Sequence, residues 1–312
     1  MVKNKDFKVK TAEFKALLMK TEEMNTIDLS ENLTSNKEHE QILNSAVNIY
    51  GRLPLRPDHL YVKTLSEEDI NEDGAVLRKH ELICEYGNEL CSFPFRLLTP
   101  TESAPARTVV YMSSGEDERG QLFPYNEILD MGISVFEFST EEVVSLSDGI
   151  RRRVPNTLLG KRRGPTSAGK LAIYAYLASR ILDYALTLSE ADGGIAVVGR
   201  GILAEAALIS CAYDQRFTGA ALLDFGSDTE GVDLFCMGYH HNTYSEERLL
   251  NLVPLFENQR LCICGTGSVG ALTIQKALGA SNSVSAFTRC DSVSIIESLN
   301  FIYAKDKALS KA

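Results

Sequence analysis

The chain has 312 residues, 44% of them apolar and 24% charged, which suits a folded protein with an ordinary core in one large or two smaller units. Its formal net charge of −10 argues against a nucleic-acid surface, which needs basic residues to neutralise phosphates. No apolar run approaches the length of a membrane span, and no apolar stretch follows the basic start MVKNKDFKVK, so neither a membrane anchor nor a secretion signal is expected.

The seven cysteines are scattered and odd in number, and several lie in apolar runs. That pattern fits reduced, buried thiols in a cytoplasm. Cys262 and Cys264 have one residue between them in a strand-like run, so both point to one face. With no second pair and no histidine nearby, they do not form a zinc pattern.

Residues 1–45 are polar and helix-prone and read as an N-terminal helical arm; residues 46–312 read as one α/β domain. Its entry, 46–100, is an antiparallel strand meander: LYVKTLS, AVLRKHELICEY and CSFPFRLLTP, separated by the turn signals NEDG and YGNE. Its core, 101–312, alternates strands with helices. RTVVYMSS is a strand, FPYNEILDMG a helix ending at Gly132, and ISVFEFS a buried strand. Gly169 to Leu188 is apolar nearly all round and reads as a buried helix. GIAVVG, GAALLDFGS, RLCICG and SVSAFTR are strands; ILAEAALISCAY, RLLNLVPLF, VGALTIQKALGA and SVSIIESLNFIYAKDKAL are helices. Such alternation predicts a mostly parallel sheet covered on both faces.

Ile195 to Leu208, IAVVGRGILAEAAL, is a strand entering a helix through a tight turn. Two chemistries use that arrangement. A nucleophile elbow, G-x-S-x-G, lifts a serine above the sheet. A dinucleotide loop, G-x-G-x-x-G/A, brings a pyrophosphate to the helix N-terminus, and Gly199, Gly201 and Ala204 spell it, with Asp224 placed to be the ribose acid.

The surroundings favour the elbow. SRILDYAL (Ser179 to Leu186), IAVVGRGILAEAAL and AYDQRF (Ala212 to Phe217) resemble the run S-R-x-L-D-Y-L, I-A-V-x-G-H-S-R-x-G-K-x-A-L, A-x-D-x-R-F of carbohydrate esterases of the acetyl xylan and glucuronoyl kind. IYGRLPLRPDHL and LVPLFENQRLCICGT resemble further parts of those proteins, and the likeness spans roughly residues 45–305. It implies an α/β-hydrolase fold. Carried over by position, the nucleophile falls on Gly201, its flanking histidine and arginine on Arg200 and Ile202, and the lysine on Glu205. The triad acid falls near Ser268, and Asp291 or a neighbour occupies the slot of the catalytic histidine. Glycine cannot attack a carbonyl, and a triad works as a unit, so the resemblance implies a degenerate triad.

A substitute set is conceivable: Ser113 or Ser114 as nucleophile with His240 or His241 as base. Adjacent serines in a glycine-containing loop are more simply turn residues, and a His-His pair in a polar loop is more simply solvated. A second glycine loop, Gly265, Gly267 and Gly270, resembles the cofactor loop of medium-chain alcohol dehydrogenases, and Arg289 after the next strand suits the 2′-phosphate of NADP. Its late position, with one or two strands after it, favours a tight packing turn instead. The basic runs Arg151 to Arg153 and Lys161 to Arg163 read as solvated loops, and Arg180 and Asp183 as a structural i, i+3 pair.

The reading is therefore an esterase-like protein that lacks the Ser-His-Asp triad and binds a small molecule, acyl or carbohydrate-like, or a protein partner. Arg200, Gly201, Ile202, Ser113 and Ser114 are the expected ligand contacts, with no metal, and homo-oligomerisation left open.

Overall fold

Apolar runs of five to seven residues can be fully buried only if both faces of their sheet are covered, and helices between them supply the cover. A computed structural model describes residues 24–27, 56–70, 75–86, 89–101, 107–113, 123–139, 170–188, 193–225, 256, 259–265 and 284–304. They form strands β1 (Met24–Ile27), β2 (His59–Ile70), β3 (Ala75–Tyr86), β4 (Glu89–Pro100), β5 (Arg107–Ser113), β6 (Ile133–Ser139), β7 (Ile195–Arg200), β8 (Gly219–Leu223), β9 (Arg260–Cys264) and β10 (Val284–Phe287). The helices are α1 (Tyr125–Asp130), α2 (Lys170–Ala185), α3 (Ile202–Tyr213) and α4 (Ser292–Tyr303). The expected helices over RLLNLVPLF and VGALTIQKALGA lie outside the described residues, except Phe256.

The ten strands make one sheet in the order β1-β2-β3-β4-β6-β5-β7-β8-β9-β10. β1 to β4 are an antiparallel meander, and β4 joins β6 antiparallel. From β6 to β10 every pairing is parallel. This is the α/β architecture that the alternation of runs predicts. One difference falls in the N-terminal arm: Met24–Ile27, inside the segment read as helical, is a strand paired with Leu60–Lys63 of β2. The edge of a long strand offers unpaired backbone groups, and pairing there outweighs a weak local helix preference.

β4 carries Pro94 in mid-strand. It stands opposite Glu81 of β3 and beyond the ladder with β6, which pairs only with Arg96–Leu98, so its missing N–H removes no bond to β6.

Two cores fill the faces. Apolar residues of α2 and α3 pack on one, with Val110, Val197, Leu222 and Ile263 of the strands. Those of α1 and α4 pack on the other, with Val109, Val198, Leu223 and Cys262. Leu203 to Ala212 of α3 is buried on every side. α4 starts at Asp291, whose carboxylate accepts the Ser294 N–H at 2.9 Å.

α2 and α3 are tied together by charge. Asp183 of α2 is 2% exposed at its side chain and meets Arg180 Nε at 2.8 Å, Arg216 Nη1 at 2.7 Å and Arg56 Nη2 at 3.7 Å. Arg216 also donates to Asp214, Nη2 to Oδ2 at 2.7 Å. The pieces SRILDYAL and AYDQRF therefore act together as an ionic hub. Removing one partner of a buried cluster leaves its charges uncompensated. Asp183→Ala is expected to lose about 3–5 kcal/mol of stability, read by urea unfolding; a loss under about 1 kcal/mol would show that the hub is not a structural tie.

His80 of β3 is 2% exposed, stacked on Phe95 at 4.9 Å between ring centres and edge-on to Tyr184 at 5.8 Å. Burial, helped by the Arg78 charge, pushes its pKa down from 6.5 to about 4. The unfolded chain then binds more protons than the folded one between those values, so stability is full above pH 6.5 and falls as pH drops through about 4. The loss approaches about 3 kcal/mol. Unfolding curves at pH 7 and pH 4.5 should converge for His80→Leu relative to the unsubstituted protein; an unchanged pH slope would remove His80 as its source.

Candidate functional site at the carboxyl edge of the sheet

The chain leaves β5 to one side to form β6, then returns across β5 to form β7, so the connections diverge between β5 and β7. In open α/β sheets a crevice forms at the carboxyl ends of strands at such a reversal. Ser113 ends β5 and Arg200 ends β7.

The bend from β7 into α3 has a strict steric requirement. At Gly199 a Cβ would overlap the Leu203 carbonyl, so the helix can begin this close to the strand only over a glycine. Gly201 follows at φ 58° and ψ −124°, a combination that side chains rarely adopt, and it is the N-cap residue of α3. Its N–H donates to Leu223 O at 2.8 Å and its carbonyl accepts from Ala204 N at 3.1 Å. A Cβ at Gly201 would meet none of the described residues within 4 Å. Among the described residues nothing crowds this position, where glycine places no side chain.

The two neighbouring strands end in the same manner. Asp224 follows β8 at φ 46°, and Gly265 follows β9 at φ 79°. Asp224 N donates to Cys264 O at 2.9 Å and Gly265 N to Phe287 O at 3.0 Å. Three adjacent strands each gain one further rung and then turn left-handed. Among the described residues Asp224 is the one non-glycine residue with positive φ. A Cβ on Gly265 would lie 2.5 Å from Asp224 Oδ1, so this glycine is required by the carboxylate packed against it.

Above this edge Arg200 donates from Nε to Asp224 Oδ2 at 2.7 Å, and its Nη2 reaches the same oxygen at 2.6 Å. Their side chains are 26% and 28% exposed. Cys290, half-buried, stands close: burial pushes its thiol up to about 12, and the Asp224 charge adds to the rise.

The expected site residues fall as follows. Arg200, Gly201 and Ile202 lie together at the bend. Ser113 is 2% exposed, and its hydroxyl donates to Phe138 O at 3.5 Å, within the sheet. Asp291 caps α4 and accepts from both the N–H and the hydroxyl of Ser294, contacts that hold its carboxyl below the usual range. Arg289 is exposed beyond β10. Gly265 has a structural reason to be glycine that involves no phosphate. Ser114, His240, His241, Gly267, Ser268, Gly270 and the two basic runs lie outside the described residues. The described histidines, His59 and His80, are on β2 and β3, at least four strands from β7.

The partner of Arg200 is the feature that sequence reading missed. Leu223 pairs with Arg200, so the next residue, Asp224, is level with the bend. The run LLDFG announced a carboxylate at a strand end but not which side chain it would meet.

Substitution checks the bend. Gly199→Ala is expected to cost at least about 3 kcal/mol through overlap with backbone, and Gly201→Ala about 1–3 kcal/mol through its dihedral angles alone. Thermal or urea unfolding would count against this geometry if the order were reversed.

No protein-family model matches the sequence, and no curated protein resembles it in sequence. Solved structures do share its shape. A glucuronoyl esterase from Solibacter usitatus aligns with TM-score 0.67 at 16% identity, over 86% of this chain and 91% of that one. A CE15 glucuronoyl esterase from Teredinibacter turnerae T7901 aligns with TM-score 0.59 at 17% identity, over 94% and 97%. The glucuronoyl esterase catalytic domain Cip2_GE from Hypocrea jecorina gives 0.52 at 14%, over 92% and 89%. With the parallel sheet and the bend at Gly201, this likeness establishes that the chain has the α/β-hydrolase fold of carbohydrate esterases.

Proposed function

We propose that the chain is an esterase-fold protein that binds a small anionic molecule in the crevice above Gly201 and does not hydrolyse esters through a Ser-His-Asp triad. The observation that carries this reading is the bend itself. It has an elbow-like geometry, none of the described residues crowds position 201, and the residue there has no nucleophile. A ligand atom can approach the backbone where a side chain would otherwise stand. Arg200 supplies positive charge at the rim.

The fold neighbours are named for esters of glucuronic acid, and the free acid carries a carboxylate able to meet Arg200, so it is the first ligand class to try. No helix among the described residues is long and apolar enough to cross a membrane, and Cys84, Cys211, Cys262, Cys264 and Cys290 are free thiols. These observations support a protein working in a reducing cytoplasm.

Two measurements test the reading. Acetyl and aryl esters should be turned over no faster than in buffer, and D-glucuronate should raise the melting temperature, an effect lost in Arg200→Ala. Ester turnover abolished by Ser113→Ala or Ser114→Ala would replace this reading with a relocated hydroxyl nucleophile.

A further inference from the structure

We propose that Asp224 is an internal counter-ion that competes with the anionic ligand for Arg200, and so sets the affinity of the Gly201 crevice. The inference rests on the binding function proposed above and adds its regulation.

Arg200 spends two of its donors, Nε and Nη2, on a single carboxylate oxygen. The carboxylate is the fixed partner. Its residue is pinned by the bond from Asp224 N to Cys264 O, and its Oδ1 lies against Gly265, which leaves no room toward β9. The guanidinium is on a long, flexible stem at the end of β7 and is the partner able to turn. Both groups are about a quarter exposed, so a dissolved anion reaches the pair from solvent. Part-exposed ion pairs are weak, so exchange with an incoming carboxylate is open to modest concentrations of ligand. A ligand carboxylate also meets repulsion from Asp224 if it takes a place beside Arg200 without displacing it. Neutral molecules feel neither effect. The Cys290 thiol nearby is held protonated and adds no charge.

The test is a D-glucuronate titration of the unsubstituted protein and of Asp224→Asn, followed by the NMR shift of the Arg200 Nε–H. Asparagine accepts the left-handed backbone as readily as aspartate, so the fold is expected to survive. Asp224→Gly, which relieves that backbone altogether, is the second variant. Both should bind about fivefold more tightly than the unsubstituted protein, the upper end of what a part-exposed pair contributes. Equal affinities across the three proteins, with binding retained, would overturn the counter-ion role and leave anion binding standing. No shift in any of the three would overturn both.

Discussion

The closeness of α3 to β7 is the constraint on which the rest of the site depends. A helix that starts two residues after a buried strand has to turn back over it, and the Leu203 carbonyl then occupies the space of a Cβ at position 199. Glycine there lets the helix begin at the sheet edge. The next turn is left-handed, and Gly201 takes it without strain. The position of the bend at the sheet edge and the seat of Arg200 follow from that approach.

The two ends of α3 are secured by different forces. At its start, backbone hydrogen bonds and a missing side chain fix the geometry. Beyond its C-terminus, Asp214 and Arg216 join the hub on Asp183 of α2. Because α3 crosses from the carboxyl ends of the strands to their amino ends, the hub lies at the opposite end of the strands from the bend. The residues of the bend and of the hub thus divide into two sets. One set shapes the bend, and the other locks the two helices that cover the same face.

The carboxyl edge has an order of its own. β7, β8 and β9 each end in a left-handed residue one rung beyond the strand, and two of the three are glycines. Aspartate tolerates the conformation less well than glycine, yet here its carboxylate meets a guanidinium and lies against Gly265. The ion pair offsets the cost of the backbone turn, and the packing explains why Gly265 has no side chain. A glycine loop that reads as a possible phosphate cradle is, at its first glycine, accounted for by a contact within the protein.

The sequence by itself determined the alternation of strands and helices, the meander, the limits of β3, β6 and α3, the start of α4, and the glycines at the bend between β7 and α3. These are local matters of periodicity, capping and turn chemistry. Tertiary structure decided the rest. Pairing with β2 made a strand of Met24–Ile27 inside a helix-prone arm, because an exposed edge offers backbone partners that no local preference encodes. Packing buried the side chain of Ser113. It was the register of β8 against β7 that set Asp224 beside Arg200, residues 24 positions apart whose meeting depends on how two strands align in space.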